Sequence, residues 1–122
     1  MNHNTLLLRQ IHPAFIQHNK ITSQAFRPTP KDEKLLSVDN GDKVIGAESW
    51  KRFTQNPQCQ SVGVMAVSYA ECEIQELKII EDGTPYPEHC SINFNDLTNG
   101  QISKKSKRLK SYAEQRDWVF KG

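Results

Sequence analysis

Residues Ile21–Val38, ITSQAFRPTPKDEKLLSV, decide how this chain is read. Ile21–Phe26 alternates and predicts a short strand, Leu35–Val38 predicts a second, and RPTP lies between them. Pro28 and Pro30 fix their own φ angles and push Arg27 and Thr29 toward extended geometry, so RPTP is excluded from a helix interior. Lys31-Asp32-Glu33-Lys34 is too charged to be buried. The expectation is a stiff, outward-facing elbow over Arg27–Lys34, held between two buried anchors and presenting Arg27, Thr29, Lys31 and Asp32.

On the N-terminal side, Leu6–Ile11 (LLLRQI) predicts a strand stopped by His12-Pro13, because proline ends ladder pairing on a central strand. Gln17-His18-Asn19-Lys20 signals a turn, so this strand is expected to pair with Ile21–Phe26 as a hairpin. On the C-terminal side, Asp39-Asn40-Gly41-Asp42 is the clearest turn, since Asn and Gly accept positive φ at low cost. Ala47–Thr54 has helical spacing, and Asn56-Pro57 ends it. Ser61–Val67 (SVGVMAV) is continuously apolar and predicts a central strand buried on both faces. Ser68-Tyr69-Ala70-Glu71 matches a capping box and opens a short helix, Ala70–Leu77.

A further strand is expected over Lys78–Glu81 and another in HCSINF, with Cys90, Ile92 and Phe94 on the inside. Thr98-Asn99-Gly100 predicts a turn, and Ser103 caps a helix from Lys104 to Arg116. Trp118–Phe120 docks the terminus. Strands and helices never settle into a regular βα alternation. The expected fold is therefore a single α+β domain over residues 1–122, with a mixed or antiparallel sheet of five or six short strands and two or three helices.

The length of 122 residues suits one core. Charge is unevenly placed: residues 100–122 carry seven Lys and Arg against two acids, and residues 1–99 carry nine against twelve. Three cysteines without a CxxC pair point away from a disulfide framework and toward a reducing compartment. The start, MNHNTLLLRQIHP, has too short an apolar run for a signal peptide, and no stretch is apolar for long enough to span a membrane. The expectation is a soluble, cytoplasmic chain.

Four constellations could carry chemistry. Arg9 could fork onto a phosphate or carboxylate, with His12 transferring a proton near neutral pH. Thr22-Ser23 with Lys31-Asp32 could form an anion or substrate site, though no glycine lies between Ile21 and Val38 to cradle a phosphate. KKSKRLK places Lys104, Lys105, Lys107, Arg108 and Lys110 in seven residues. That run fits a solvated face, an acidic protein partner, or salt-dependent contact with nucleic acid. Cys72, His89 and Cys90 are the clustered soft ligands. Adjacent His89 and Cys90 would point to opposite faces of a strand, so no metal site is expected.

Arg9, Thr22-Ser23 and Glu71/Glu73 resemble the Arg…Ser-x-Ser…Glu-x-Glu pattern of ADP-ribosyltransferases, with Ala25 standing where that pattern has its second Ser. The resemblance implies an NAD- or phosphate-handling transferase using Arg9, His12, Ser23 and Glu71 or Glu73. The segments LLRQIHPAFIQ, TSQAFRPTPKDEKLLSV and LKSYAEQRDWVF together resemble a group of small uncharacterised bacterial proteins. That second resemblance implies an accessory component working beside larger partners, and assigns no role to any one residue. With no metal motif or cofactor loop in view, the leading expectation is a small binding module that meets a protein partner through the elbow and the basic C-terminal helix. The transferase and sequence-blind nucleic-acid binding are the alternatives.

Overall fold

The computed structural model describes residues 1–29 and 33–122. Among the described residues eight strands appear in chain order: β1 Leu6–Gln10, β2 Ile16–Gln17, β3 Lys20–Ile21, β4 Leu35–Asn40, β5 Gly63–Ser68, β6 Lys78–Ile80, β7 His89–Asn93 and β8 Phe120–Lys121. The α-helices among the described residues are α1 Gly46–Thr54, α2 Tyr69–Ile74 and α3 Asn99–Arg116. Six strands form one sheet in the order β6-β7-β4-β1-β5-β8, and every neighbouring pair is antiparallel. The remaining two, β2 and β3, make a separate small hairpin. The fold is a single α+β domain, as its mixture of apolar alternation and helical spacing predicts.

β5 is buried at all six positions, and this follows from GVMAVS having no polar face to offer water. Side chains alternate across the sheet, and the register sorts them. Leu7, Val67, Met65, Val38 and Ile92 fall on one face; Leu8, Ala66, Val64, Asp39 and His89 fall on the other. α3 covers the first face with Ile102, Ser106, Leu109 and Ala113, a buried stripe at the spacing of successive helical turns. Phe26, Phe94, Cys72 and Leu77 complete that core. Burying each large apolar side chain contributes about 1.5–3 kcal/mol, so this layer dominates the stability.

The second face is covered only in part. α1 lies across Leu8, Val44, Val64 and Ala66, with Trp50 and Phe120 packed at its edge, ring centroids 5.4 Å apart. α1 is nine residues long, so this cover reaches β4 at Asp39 through Ser49 and Arg52 but leaves Ser37 exposed.

Four expectations are corrected. β1 pairs with β4 and β5, not with a strand at Ile21–Phe26. The residues after β1 instead close their own two-residue hairpin, with His18 and Asn19 at φ 51° and 64°, the geometry of a tight turn that matches strand twist. Ser23–Phe26 is a 3-10 helix because Ala25 and Phe26 are both fully buried, and an alternating strand cannot send neighbours to one side. α3 starts at Asn99, not Lys104: Thr98 and Gln101 form a reciprocal capping box that satisfies two amides ahead of the expected cap at Ser103. α2 carries the expected Ser68–Glu71 capping box but stops at Ile74, before a left-handed Glu76 at φ 58°.

Candidate functional site

A cleft of about 590 Å³ opens where α1 leaves the second face of the sheet exposed. Its floor is the outward row of β1, β4 and β7, including Leu8, Gln10, Ser37, Asp39 and His89. α1 supplies one wall through Ser49, Arg52 and Phe53, and the chain before β7 supplies the opposite one through Pro85 and Tyr86. His12 and Phe15 close one end beside Gln58–Gln60.

The polar groups in this cleft form a connected set. Ser49 is buried, and its hydroxyl donates to Asp39 Oδ2 at 2.6 Å. With that proton committed, Ser49 can only accept from Gln10, whose Nε2 donates to it at 2.9 Å. This fixes the Gln10 amide and leaves its buried Oε1 without a partner among the described residues. Burial pushes the Asp39 carboxyl above its ordinary range, opposed by the Ser49 hydrogen bond and by the positive field of Arg52 and His89. Arg52 forms an ion pair with Glu88, lies 3.8 Å from Asp39 Oδ2, and stacks its guanidinium 3.9 Å over the Tyr86 ring. One arginine thus joins α1, β4 and the segment leading into β7.

At the far side, His89 Nδ1 donates to Asp82 Oδ1 at 2.6 Å, and Ser91 Oγ donates to Asp82 Oδ2 at 2.7 Å. That bond holds the imidazole with Nε2 as its remaining ring nitrogen. For Asp82, burial pushes the carboxyl up, but the hydrogen bonds from His89 and Ser91 and the His89 charge outweigh it and hold the carboxyl below its usual value. A depressed carboxylate stabilises the fold above its unfolded titration range, and that contribution is lost as pH falls through the native value. The stability difference between the native protein and Asp82→Asn should therefore shrink between neutral pH and about pH 3. Denaturant titrations at the two pH values read this directly, and a pH-independent difference removes the electrostatic account. Asp39 has the opposite sign: its raised value makes its ionised form cost stability as pH rises.

Of the residues singled out from the sequence, Arg9 and His12 line the cleft. Arg9 donates through Nε to the Ala25 carbonyl at 2.8 Å and through Nη1 to the Ser37 carbonyl at 3.0 Å, tying the 3-10 helix to β4. His12 Nδ1 accepts from the Ala14 amide at 2.9 Å and so caps the turn at Pro13. Ser23, Glu71 and Glu73 do not line the cleft. Glu71 closes the capping box and is held by Arg116 at 2.8 and 3.2 Å, while Glu73 lies 3.1 Å from His3. Arg9, Ser23 and Glu71 thus do not meet in one cleft.

Arg27 and Thr29 are exposed on either side of buried Pro28, and Lys31 and Asp32 lie outside the described residues. On α3, Lys104, Lys107 and Arg108 are exposed. Two cations of the run also reach Gln75: Lys105 Nζ donates to its carbonyl, and Arg108 Nη1 donates to its Oε1 at 3.2 Å. Lys110 pairs with Glu114 at 3.3 Å. Part of the basic run therefore anchors the end of α2 to α3.

His89 and Cys90 point to opposite faces, and no group of three metal-binding side chains occurs among the described residues. Burial pushes the Cys72 thiol up to about 12 and the Cys90 thiol up to about 11, so both stay protonated. Among the described residues no helix is long and apolar enough to cross a membrane. Asp39, Ser49, Arg52 and Asp82 escaped the sequence reading because each has an ordinary local role. Asp39 stands first in the expected turn Asp39–Asp42, and Arg52 falls within the expected helix Ala47–Thr54. No family model, curated protein or solved structure matches this chain.

Proposed function

We propose that this protein is a small binding module whose ligand sits in the cleft between α1 and the β4–β7 half of the sheet. The observation that carries this reading is the convergence of Asp39, Arg52 and His89, drawn from three separate elements, on one concavity. Its volume falls in the range of sites for small organic ligands, and apolar side chains surround a few placed polar groups. Burial raises the carboxyl of Asp39 at the floor of this cleft, which makes it a candidate functional residue.

The test is a fragment screen followed by amide resonances of the labelled protein. Perturbations should concentrate at Gln10, Ser37, Asp39, Ser49 and His89. Perturbations confined to α3 or to the segment around Arg27 sink this reading.

A protein partner at the elbow is our second proposal, favoured by exposed Arg27 and Thr29 flanking the buried anchor Pro28. Within an assembly, that contact would leave the cleft to its own ligand. The transferase reading is supported here by Arg9 and His12 alone of its five residues. For nucleic acid, Lys104, Lys107 and Arg108 are the exposed cations of the basic run.

A further inference from the structure

The cleft contains both signs of charge, and what matters is which groups still have bonding capacity. Its arginines are engaged, Arg9 by two main-chain carbonyls and Arg52, whose buried Nη2 makes no hydrogen bond among the described residues, by the charge of Glu88 and the face of Tyr86. Its acceptors are not. Asp39 receives one hydrogen bond, from Ser49 on Oδ2, while Arg52 stands at 3.8 Å, beyond hydrogen-bond reach. Oδ1 of Asp39 accepts from no described side chain, and the adjacent Gln10 Oε1 is a second acceptor without a donor. A half-buried carboxylate short of donors gains most from a charged donor that can reach both of its oxygens. At the rim, Phe53 and Tyr86 remain substantially exposed, and aromatic faces attract cations and flat rings.

We propose that the cleft selects a ligand with a flat, positively charged nitrogen head group, an amidinium, guanidinium or protonated aminoheterocycle, seated on Asp39 between the Phe53 and Tyr86 rims. The proposal rests on the cleft being the binding site. It disfavours a phosphate or carboxylate as the group on the floor, since either would face Asp39, and the nearby cation Arg52 is already ion-paired with Glu88.

Benzamidine, benzamide and benzoate share a ring and differ in head-group charge, which makes them suitable probes. Titrated into the intact protein and followed by its amide resonances, benzamidine should bind at least about tenfold more tightly than benzoate, with benzamide between them. Asp39→Asn should erase that preference. Ser37→Lys, at an exposed position on the same floor, should weaken benzamidine in a protein whose core is untouched.

Equal or tighter binding of benzoate, or a benzamidine preference that survives both variants, overturns the proposal. If other fragments reach the cleft and benzamidine does not, the head-group assignment falls and the binding site stands. If no fragment of any charge perturbs the cleft, both fall.

Discussion

Gly63→Ala is expected to lower the unfolding free energy by about 3 kcal/mol, although it adds a single methyl group. A Cβ at Gly63 would sit 2.5 Å from the Phe120 carbonyl oxygen and 3.0 Å from the Trp118 ring. The nearest obstacle is main chain, so no rotamer change relieves it. Gly63 also has φ 158°, outside the range that a side chain adopts without strain. β8 pairs with β5 directly at this point, Gly63 opposite Lys121 and Val64 opposite Phe120. Moving β8 away removes Phe120 from Trp50, and with it part of the seat of α1.

The loss should therefore appear in denaturant titration and as perturbed amide resonances along α1. Gly100→Ala is the control, because a Cβ there meets nothing closer than Thr98 Oγ1 at 4.0 Å inside a regular helix. That variant should be neutral or stabilising by up to about 1 kcal/mol. A Gly63→Ala protein as stable as the native one would mean that β8 shifts freely, and the account of this edge would be wrong.

Arg52→Ala should cost about 2–3 kcal/mol and disorganise the cleft. Glu88 is 7% exposed, and removing its arginine leaves a buried carboxylate without its partner. Breaking a buried ion pair on one side costs about 3–5 kcal/mol. The partial exposure of Arg52 lets water reach the vacated space and lowers that figure here. The same substitution takes the cation from the Tyr86 ring and from the field of Asp39, so the wall that Pro85 and Tyr86 form loses its tie to α1.

Combining Arg52→Ala with Glu88→Gln should recover roughly half the loss, since the neutral amide no longer carries an unpaired charge. Additive destabilisation in the double variant would show that the pair is not energetically coupled. Backbone dynamics of residues 82–88 provide a second readout, with increased mobility expected in Arg52→Ala alone.

How far the sequence could be read depended on the range of the interactions involved. The continuous apolar run at Ser61–Val67 can satisfy its surroundings only when covered on both sides, and it became the fully buried β5. Ser68-Tyr69-Ala70-Glu71 closes its box within four residues, so the N-terminus of α2 was legible. The start of α3 was missed because two hydroxyl residues, Thr98 and Ser103, both suit a cap. The reciprocal bond from Gln101 decided between them. Ile21–Phe26 alternates like a strand, but the burial of adjacent Ala25 and Phe26 against one core overrode the pattern.

By itself, then, the order of residues determined an α+β domain, its fully buried strand, the approximate place of each helix and the inward side of Cys90. Those features depend on periodicity, capping and burial within a few residues. The pairing of β1 with β4 and β5, the bonds of Lys105 and Arg108 to Gln75, and the meeting of Asp39, Ser49, Arg52, Asp82 and His89 were decided by the tertiary structure. The members of that cluster come from two strands, a helix and a connecting segment, and no local rule relates their positions. Only the antiparallel register that sets Asp39 opposite His89, and the short reach of α1 across the sheet, bring Asp39, Ser49, Arg52 and His89 to one cleft, with Asp82 bonded to His89.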